Sequence, residues 1–311
     1  MPSQVSYPGV YIEEVPKGIR TISGVSTSTA AFIGLASYER RHDPNTQHKP
    51  VPRKLVSYSA YEQEFGPPHL QSNLAMSVRL FFLNGGSECY VANILDDATA
   101  AKTTIQDNST DIIEFETKLR GREGNQISVE ITDSNAQTKN FTVNVCYDNV
   151  VKEQFTACTM NLTNENCIDK KLVDSKYVKC SVFSDILPSN GTFQLTGAND
   201  TQLPTHEETV TRYKEAINSL EAIDVLNLLV ITKLESEPTS QRGMRDKDYS
   251  EILSEASKYC KKRRAFLLVD PFEAWTDWKR PTNNTEPNIS TLRNNVDTKH
   301  SAVYFPQLKV T

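Results

Sequence analysis

A chain of 311 residues with 38% hydrophobic and 23% charged residues carries enough apolar material for two compact domains, which excludes a largely disordered protein. A net charge of −5 and a pI near 5.7 argue against sequence-independent nucleic-acid binding by the surface as a whole. No apolar run is long enough to cross a bilayer, and the amino terminus, MPSQVSYPGVYIEE, lacks the basic-then-apolar layout of a signal peptide, so synthesis in the cytoplasm is expected.

Along the chain, Tyr7 to Arg20 holds strand-forming Val10, Tyr11, Ile12 and Val15 between Pro8-Gly9 and the Pro16 to Gly18 break, which reads as a short extended arm. The Ser/Thr-rich stretch that follows runs into AAFIG, ending at Gly34, a buried strand by its short apolar run. After a polar loop with Arg40, Arg41, His42, Pro44 and Pro50, Lys54 to Tyr58 is predicted as a strand. Ser59 to Phe65 is predicted as a short helix, with Ser59 and Glu62 at capping-box spacing. Between Asn73 and Asn84 the apolar residues Leu74, Ala75, Val78, Phe81 and Phe82 recur at helical spacing. Gly85-Gly86 supplies a left-handed stop, and Glu88 to Leu95 reads as a buried strand.

From Thr103 to about Phe193 the pattern changes to two-residue alternation, as in Gln126 to Thr132 (QISVEIT) and Asn140 to Tyr147 (NFTVNVCY). That period predicts an antiparallel sheet with one face wet. Helix and strand then alternate again. Thr205 with Glu208 caps a predicted helix through Leu220, and Asp224 to Thr232 (DVLNLLVIT) reads as a strand covered on both faces. A helix over about Asp248 to Lys262 leads to the strand Ala265 to Asp270, and Ala302 to Val310 is a last strand whose Pro306 suggests an edge or a bulge. The expected fold class is α/β: a doubly wound α/β domain built from both chain ends, with an inserted β-rich domain and an extended amino-terminal arm. The expected boundaries are 1–20 for the arm, 21–100 and 196–311 for the two parts of the α/β domain, and 101–195 for the insertion.

Residues able to carry chemistry each have a plainer reading. Asp270 follows a predicted parallel strand, where open α/β sheets place ligands, yet Asp-Pro also opens turns and no base, nucleophile or metal ligand accompanies it. Trp275 and Trp278 are packing lids or interface anchors, with packing the default. Gly121 to Asn125 lacks a phosphate-loop register and reads as a β-turn. His42, His48, His69, His206 and His300 are dispersed without metal-ligand spacing and read as solvated loop residues. Cys89, Cys146, Cys158, Cys167, Cys180 and Cys260 read as reduced thiols packed like small apolar residues. Lys258 to Arg264 (KYCKKRR) could meet phosphate or an acidic surface, but cations at a helix carboxyl end complement its dipole, which is the favoured reading. Sequons at Asn108, Asn140, Asn161, Asn190 and Asn288 carry no weight without a secretory signal. No catalytic residue, metal or cofactor is expected.

Four stretches resemble the contractile tail sheath family of phage tails and related injection systems. They are YPGVYIEEVPKGIRTISGVSTSTAAFIG (Tyr7 to Gly34), SVRLFFLNGGSECYVANI (Ser77 to Ile94), LTGANDTQLPT with LEAIDVLNLLVIT (Leu195 to Thr232), and HSAVYFPQLKV (His300 to Val310). The first two blocks are specific and the β region between them much less so. The resemblance implies a structural subunit, not an enzyme, that forms a helical tube around an inner tail tube and contracts to drive that tube through a target envelope. It implies that Val10, Tyr11, Ile12, Glu13, Glu14 and Val15 form an inter-subunit strand added to a neighbouring copy. The implied partners are other copies of the chain, the inner tube protein, and baseplate and tail terminator proteins, with neither direct nucleic-acid contact nor membrane insertion. The implied location is a virion tail or a contractile injection particle. Family members usually continue past the YFPQLKV strand, whereas this sequence stops at Thr311, so the family's carboxyl-terminal part is expected to be missing. A monomeric adaptor or cap on the same fold, and an α/β enzyme with a site near Asp270, are the alternatives.

Overall fold

The computed structural model describes residues 29–41, 47–237, 241–272, 275, 288–297 and 299–305. The arm residues Val10, Tyr11, Ile12, Glu13, Glu14 and Val15 lie outside this set, as do His42, Trp278 and Pro306.

The first part of the α/β layer runs from strand β1 (Ala30–Gly34) to strand β3 (Cys89–Asn93). Between them come a short strand β2 (Arg53–Leu55), helix α1 (Tyr58–Phe65) and helix α2 (Leu74–Leu83). Helix α1 begins two residues earlier than the spacing of Ser59 and Glu62 predicts. Ser57 is extended and its Oγ accepts the Ala60 N–H at 3.1 Å, so the cap forms there. Gly85, at φ 90°, supplies the left-handed stop after α2, and the Gly86 N–H donates to the Phe81 carbonyl.

The β-rich segment contributes β4 (Ala100–Asp107), β5 (Thr110–Arg120), β6 (Ile127–Asn135), β7 (Asn140–Tyr147), β8 (Val150–Cys158), a one-turn helix α3 (Ile168–Lys171), β9 (Val178–Val182) and β10 (Gly191–Gln194). They pair antiparallel in two sheets, in the orders β10-β6-β7-β8 and β4-β5-β9. Ile113, Phe115, Val129, Phe141, Val143 and Val145 fill an apolar cluster of their own, separate from those of the α/β layer. The alternation in Asn140 to Tyr147 does not leave a wet face. Thr142, Asn144 and Cys146 are buried as well, and Asn144 is bracketed across the sheet by Glu130 at 3.0 Å and Gln154 at 3.0 Å.

The chain then returns to the α/β layer with helix α4 (His206–Ser219), strand β11 (Leu228–Ile231) and a two-residue hairpin, β12 (Ser236–Glu237) with β13 (Arg242–Gly243). Helix α5 (Asp246–Arg263), strand β14 (Phe266–Val269), helix α6 (Ile289–Asn295) and strand β15 (Ser301–Val303) follow. At α4, Thr205 Oγ1 accepts the Glu208 N–H while Glu208 Oε2 accepts the Thr205 N–H, the predicted capping box. Thr205→Ala should therefore lower stability by about 1 kcal/mol in a urea titration; an unchanged midpoint would show the cap to be energetically silent.

Among the described residues six strands form one sheet in the order β15-β14-β11-β1-β3-β2, parallel except for the edge strand β2. The chain enters at the centre, places β3 on one side of β1 and β11, β14 and β15 on the other. Alternate residues of β1 then serve different layers. Ala31 and Ile33 join a cluster with Tyr213, Ile217, Tyr249 and Leu253 of α4 and α5, whereas Ala30 and Phe32 join Tyr61, Phe65, Leu74 and Val78 of α1 and α2. The expectation that DVLNLLVIT is covered on both faces needs correcting. Leu229 and Ile231 are fully buried, but Leu228 and Val230 are only partly so, and Phe266 and Leu268 of β14 repeat the pattern. Leu228, Val230 and Leu268 line, with Phe32, Leu80 and Phe81, an apolar face beside α2 that no further described helix covers.

Candidate functional site

In open parallel sheets, ligands gather outside the carboxyl ends of the strands where the strand order reverses. Here the reversal falls at β1, between β3 and β11, and the space beyond their carboxyl ends is filled by the protein's own charged side chains. They are held on the turn after β1, the segment after β3, the end of β5 and the segment returning from β10.

The centre is Asp96, a few residues past β3. Its Oδ2 accepts the Glu39 N–H at 2.8 Å and Arg120 Nη2 at 2.5 Å, and its Oδ1 accepts Arg120 Nη1 at 3.1 Å and the Ala98 N–H at 3.2 Å. This is a fork-on-fork pairing of guanidinium and carboxylate, with the Asp96 side chain fully inaccessible and that of Arg120 nearly so. Arg120 also donates to the Glu39 carbonyl. Thr201, on the returning segment, donates its hydroxyl to the Ser37 carbonyl at 2.9 Å and its N–H to the same oxygen. Both connections between sheet and β-rich segment are thereby fastened to the turn after β1.

Glu39 forms the second ring of the cluster. Its Oε1 accepts Arg53 Nε at 2.9 Å, and Arg53 also reaches Glu64 at 3.6 Å. His48 Nε2 lies 2.9 Å from the Asn93 carbonyl and 3.9 Å from Glu39 Oε2. Glu39 Oε2 itself has no hydrogen-bond partner among the described residues. Burial pushes the Glu39 carboxyl up to about 7, with the charges of Asp96 and Glu64 adding to the rise and the Arg53 bond and charge opposing it. The arrangement holds charge and binds two parts of the chain together; its polar groups are turned toward one another.

Asp270 lies at the end of β14. Burial raises its carboxyl and the charge of Lys233 lowers it, and its N–H donates to the Tyr249 hydroxyl at 3.1 Å. Lys233 donates to the Pro271 carbonyl at 2.8 Å and lies 4.9 Å over the Tyr249 ring. These contacts support the loop, and what surrounds Asp270 is an aromatic stack. Phe272 packs edge-on against Tyr249 and Trp275, and Trp275 against Phe305, so Trp275 is buried packing as expected. The basic run ends α5: Lys262 and Arg263 pair with Glu221, Lys261 with Asp297, and Arg263 donates to the carbonyls of Ile223 and Asp224. Where a β-turn is expected at Gly121 to Asn125, Arg122–Gln126 forms a 3₁₀ turn opened by Gly121 at φ 78°, and the Arg122 N–H donates to Asp200 at 2.8 Å.

The histidines depart from expectation. His48, His69 and His206 are buried, because ring nitrogens of each are matched to a main-chain carbonyl: Asn93, Thr201 at 2.8 Å and Gly243 at 3.2 Å respectively. Cys89, Cys146, Cys158, Cys167 and Cys260 are buried and Cys180 half-buried, with burial pushing the Cys89 and Cys260 thiols up to about 12. Among the described residues no group of three or more His, Cys, Asp or Glu is placed to hold a metal ion, and no helix is long and apolar enough to cross a membrane.

The fold and its charged edge define an α/β protein carrying a β-rich segment locked to the carboxyl end of its sheet. No family model matches the chain, and no curated protein does. Among solved structures it is similar to a sheath tail protein from Listeria innocua, at a TM-score of 0.47 and 15% identity, over 79% of this chain and 48% of that one. It is also similar to a sheath tail protein from Desulfitobacterium hafniense, at a TM-score of 0.48 and 11% identity, over 85% of this chain and 53% of that one. The chain thus spans about half the length of the solved proteins it matches.

Proposed function

We propose that this chain is a structural subunit of a contractile tail sheath, which polymerises helically around an inner tube and contracts to drive that tube through a target envelope. The observation that carries the reading joins sequence to fold. The four stretches that resemble the sheath family lie far apart in sequence, yet they contribute β1, β3, β11 and β15 to one sheet, where β3, β1 and β11 are immediate neighbours. A strand order that runs outward in both directions from β1 supports a doubly wound layer built from both ends of the sequence. The separate apolar cluster of the β-rich segment supports its being an inserted domain over about residues 101–195.

On this reading residues 1–20 are an arm, and Val10, Tyr11, Ile12, Glu13, Glu14 and Val15 add a strand to a neighbouring copy. Contraction is then a rigid-body change between two subunit packings, with the arms as tethers and the energy held in the extended lattice. The partners are other copies, the inner tube protein, and baseplate and terminator proteins; the place of action is a virion tail or an injection particle.

Negative-stain electron microscopy of the protein expressed from its complete gene, with and without residues 1–20, tests the proposal. Tubes or rings are expected with the arm and monomers without it. Monomers in both preparations would overturn self-assembly through the arm.

A further inference from the structure

We infer that the joint between the sheet and the β-rich segment is a pH-responsive latch, closed while Glu39 carries a proton and loosened as that proton leaves. The inference concerns the single chain and stands apart from the assembly reading.

Its basis is the geometry of the joint. Glu39 sits on the turn after β1, one residue beyond Tyr38 and two beyond Ser37, whose carbonyl holds Thr201 of the returning segment. Its own N–H and carbonyl are bound by Asp96 and Arg120, so the residue holds the outgoing connection and the end of β5, two residues from the Ser37 carbonyl that holds the returning one. Around its carboxyl stand Arg53 from β2, Glu64 from α1, Asp96 from the segment after β3, Arg120 from β5 and His48 from the loop before β2. Three carboxylates therefore share this buried space with the two guanidiniums of Arg53 and Arg120. Arg41, which also reaches Glu64 at 3.2 Å, stays largely in solvent.

With Glu39 ionised, Oε2 is a buried anionic oxygen without a donor, close to two further carboxylates. With Glu39 protonated, that oxygen is neutral while Arg120 stays on Asp96 and Arg53 beside Glu64. Opening the joint to water relieves the ionised state and does little for the protonated one. Because burial raises the closed-state carboxyl to about 7 from the ordinary carboxylate range, the closed joint binds the proton more tightly than the open one. Linkage fixes the sign: closure is fully favoured below the ordinary carboxylate value and weakens as pH rises through about 7.

Hydrogen exchange at the Glu39 and Thr201 amides, which are bonded to Asp96 and Ser37, reports the latch. After correction for intrinsic rates, protection should fall about tenfold or more between pH 6 and pH 8.5 in the wild type. It should stay within about twofold in Glu39→Gln, whose uncharged amide cannot titrate, while the amides of β11 stay level in both. His48→Gln should keep the transition. Carbon-detected NMR of labelled glutamate carboxyls in the wild type gives a reading that needs no variant, with one glutamate titrating near neutrality. Protection independent of pH, an undiminished transition in Glu39→Gln, its loss in His48→Gln, or glutamates that all titrate in the ordinary range would each overturn the latch.

Discussion

Arg120→Ala is expected to destabilise the protein by about 3–5 kcal/mol in urea unfolding, the largest effect of any single charge removal in the joint. The guanidinium supplies both Nη bonds to Asp96, whose side chain has no access to water, and a further bond to the Glu39 carbonyl. Its removal takes the two-pronged guanidinium away from a buried Asp96 carboxylate that accepts from the Glu39, Ala98 and Thr201 donors as well, and weakening the pairing of a buried charge costs far more than the net gain from the intact pair. Lys at this position should recover only part of the loss, because an ammonium cannot span both carboxylate oxygens in the plane of the fork. The double change Arg120→Ala with Asp96→Asn should also recover part of it. The amide oxygen still accepts from the backbone while the buried charge is gone. A change within about 1 kcal/mol for Arg120→Ala would mean that water enters the joint freely, and would remove the electrostatic account of how the β-rich segment is held.

The same joint shows how far the sequence could be read. Strands and helices with a strong period were legible: AAFIG became β1, the helix before Gly85-Gly86 became α2, and the Thr205 box opened α4. Each of these signals is local, set by neighbours within one or two turns. Helix α6 was missed because its seven residues, ISTLRNN, carry one buried apolar side chain and no repeat; its only signal is Asn288, whose Oδ1 caps Ser290 and Thr291. The half-open face of β11, a pattern that β14 repeats, was misread because a continuous apolar run says that both faces are hydrophobic, and cannot say whether a helix lies over each. Glu39, Asp96, Arg120 and Thr201 were invisible as a group. They are far apart in the chain and stand in polar connections that look solvated one at a time. Their positions just past β1 and β3, at the reversal of strand order, are the signal that could have found the first two, but it needs the topology first. The histidines failed for the related reason that burial of an imidazole depends on a distant carbonyl.

Gly34 provides the second large effect, at the same end of the sheet. As the last residue of β1 it is pressed between the end of β11 and the start of α2. A Cβ built there falls on Thr232 Oγ1 and lies 3.2 Å from Leu74 Cβ. Thr232 cannot swing away without loss. Its hydroxyl donates to the Ile33 carbonyl at 2.9 Å, and its own carbonyl accepts the buried Tyr213 hydroxyl at 2.7 Å. Gly34→Ala should therefore cost about 1–3 kcal/mol and Gly34→Val about 3 kcal/mol or more, because the added atoms must displace a bonded side chain in a packed layer. The mechanism predicts a specific coupling. Thr232→Ala alone should cost about 1 kcal/mol for the lost hydroxyl bond, and in that background Gly34→Ala should become less harmful by about 1 kcal/mol, since the obstructing oxygen is gone. Thr232→Ser keeps that oxygen and should give no such relief. Denaturant titrations of the four single variants and the two doubles decide the matter: strict additivity of Gly34→Ala with Thr232→Ala would mean that the close approach of Leu74 Cβ, and not the Thr232 hydroxyl, is what demands glycine at the centre of the sheet.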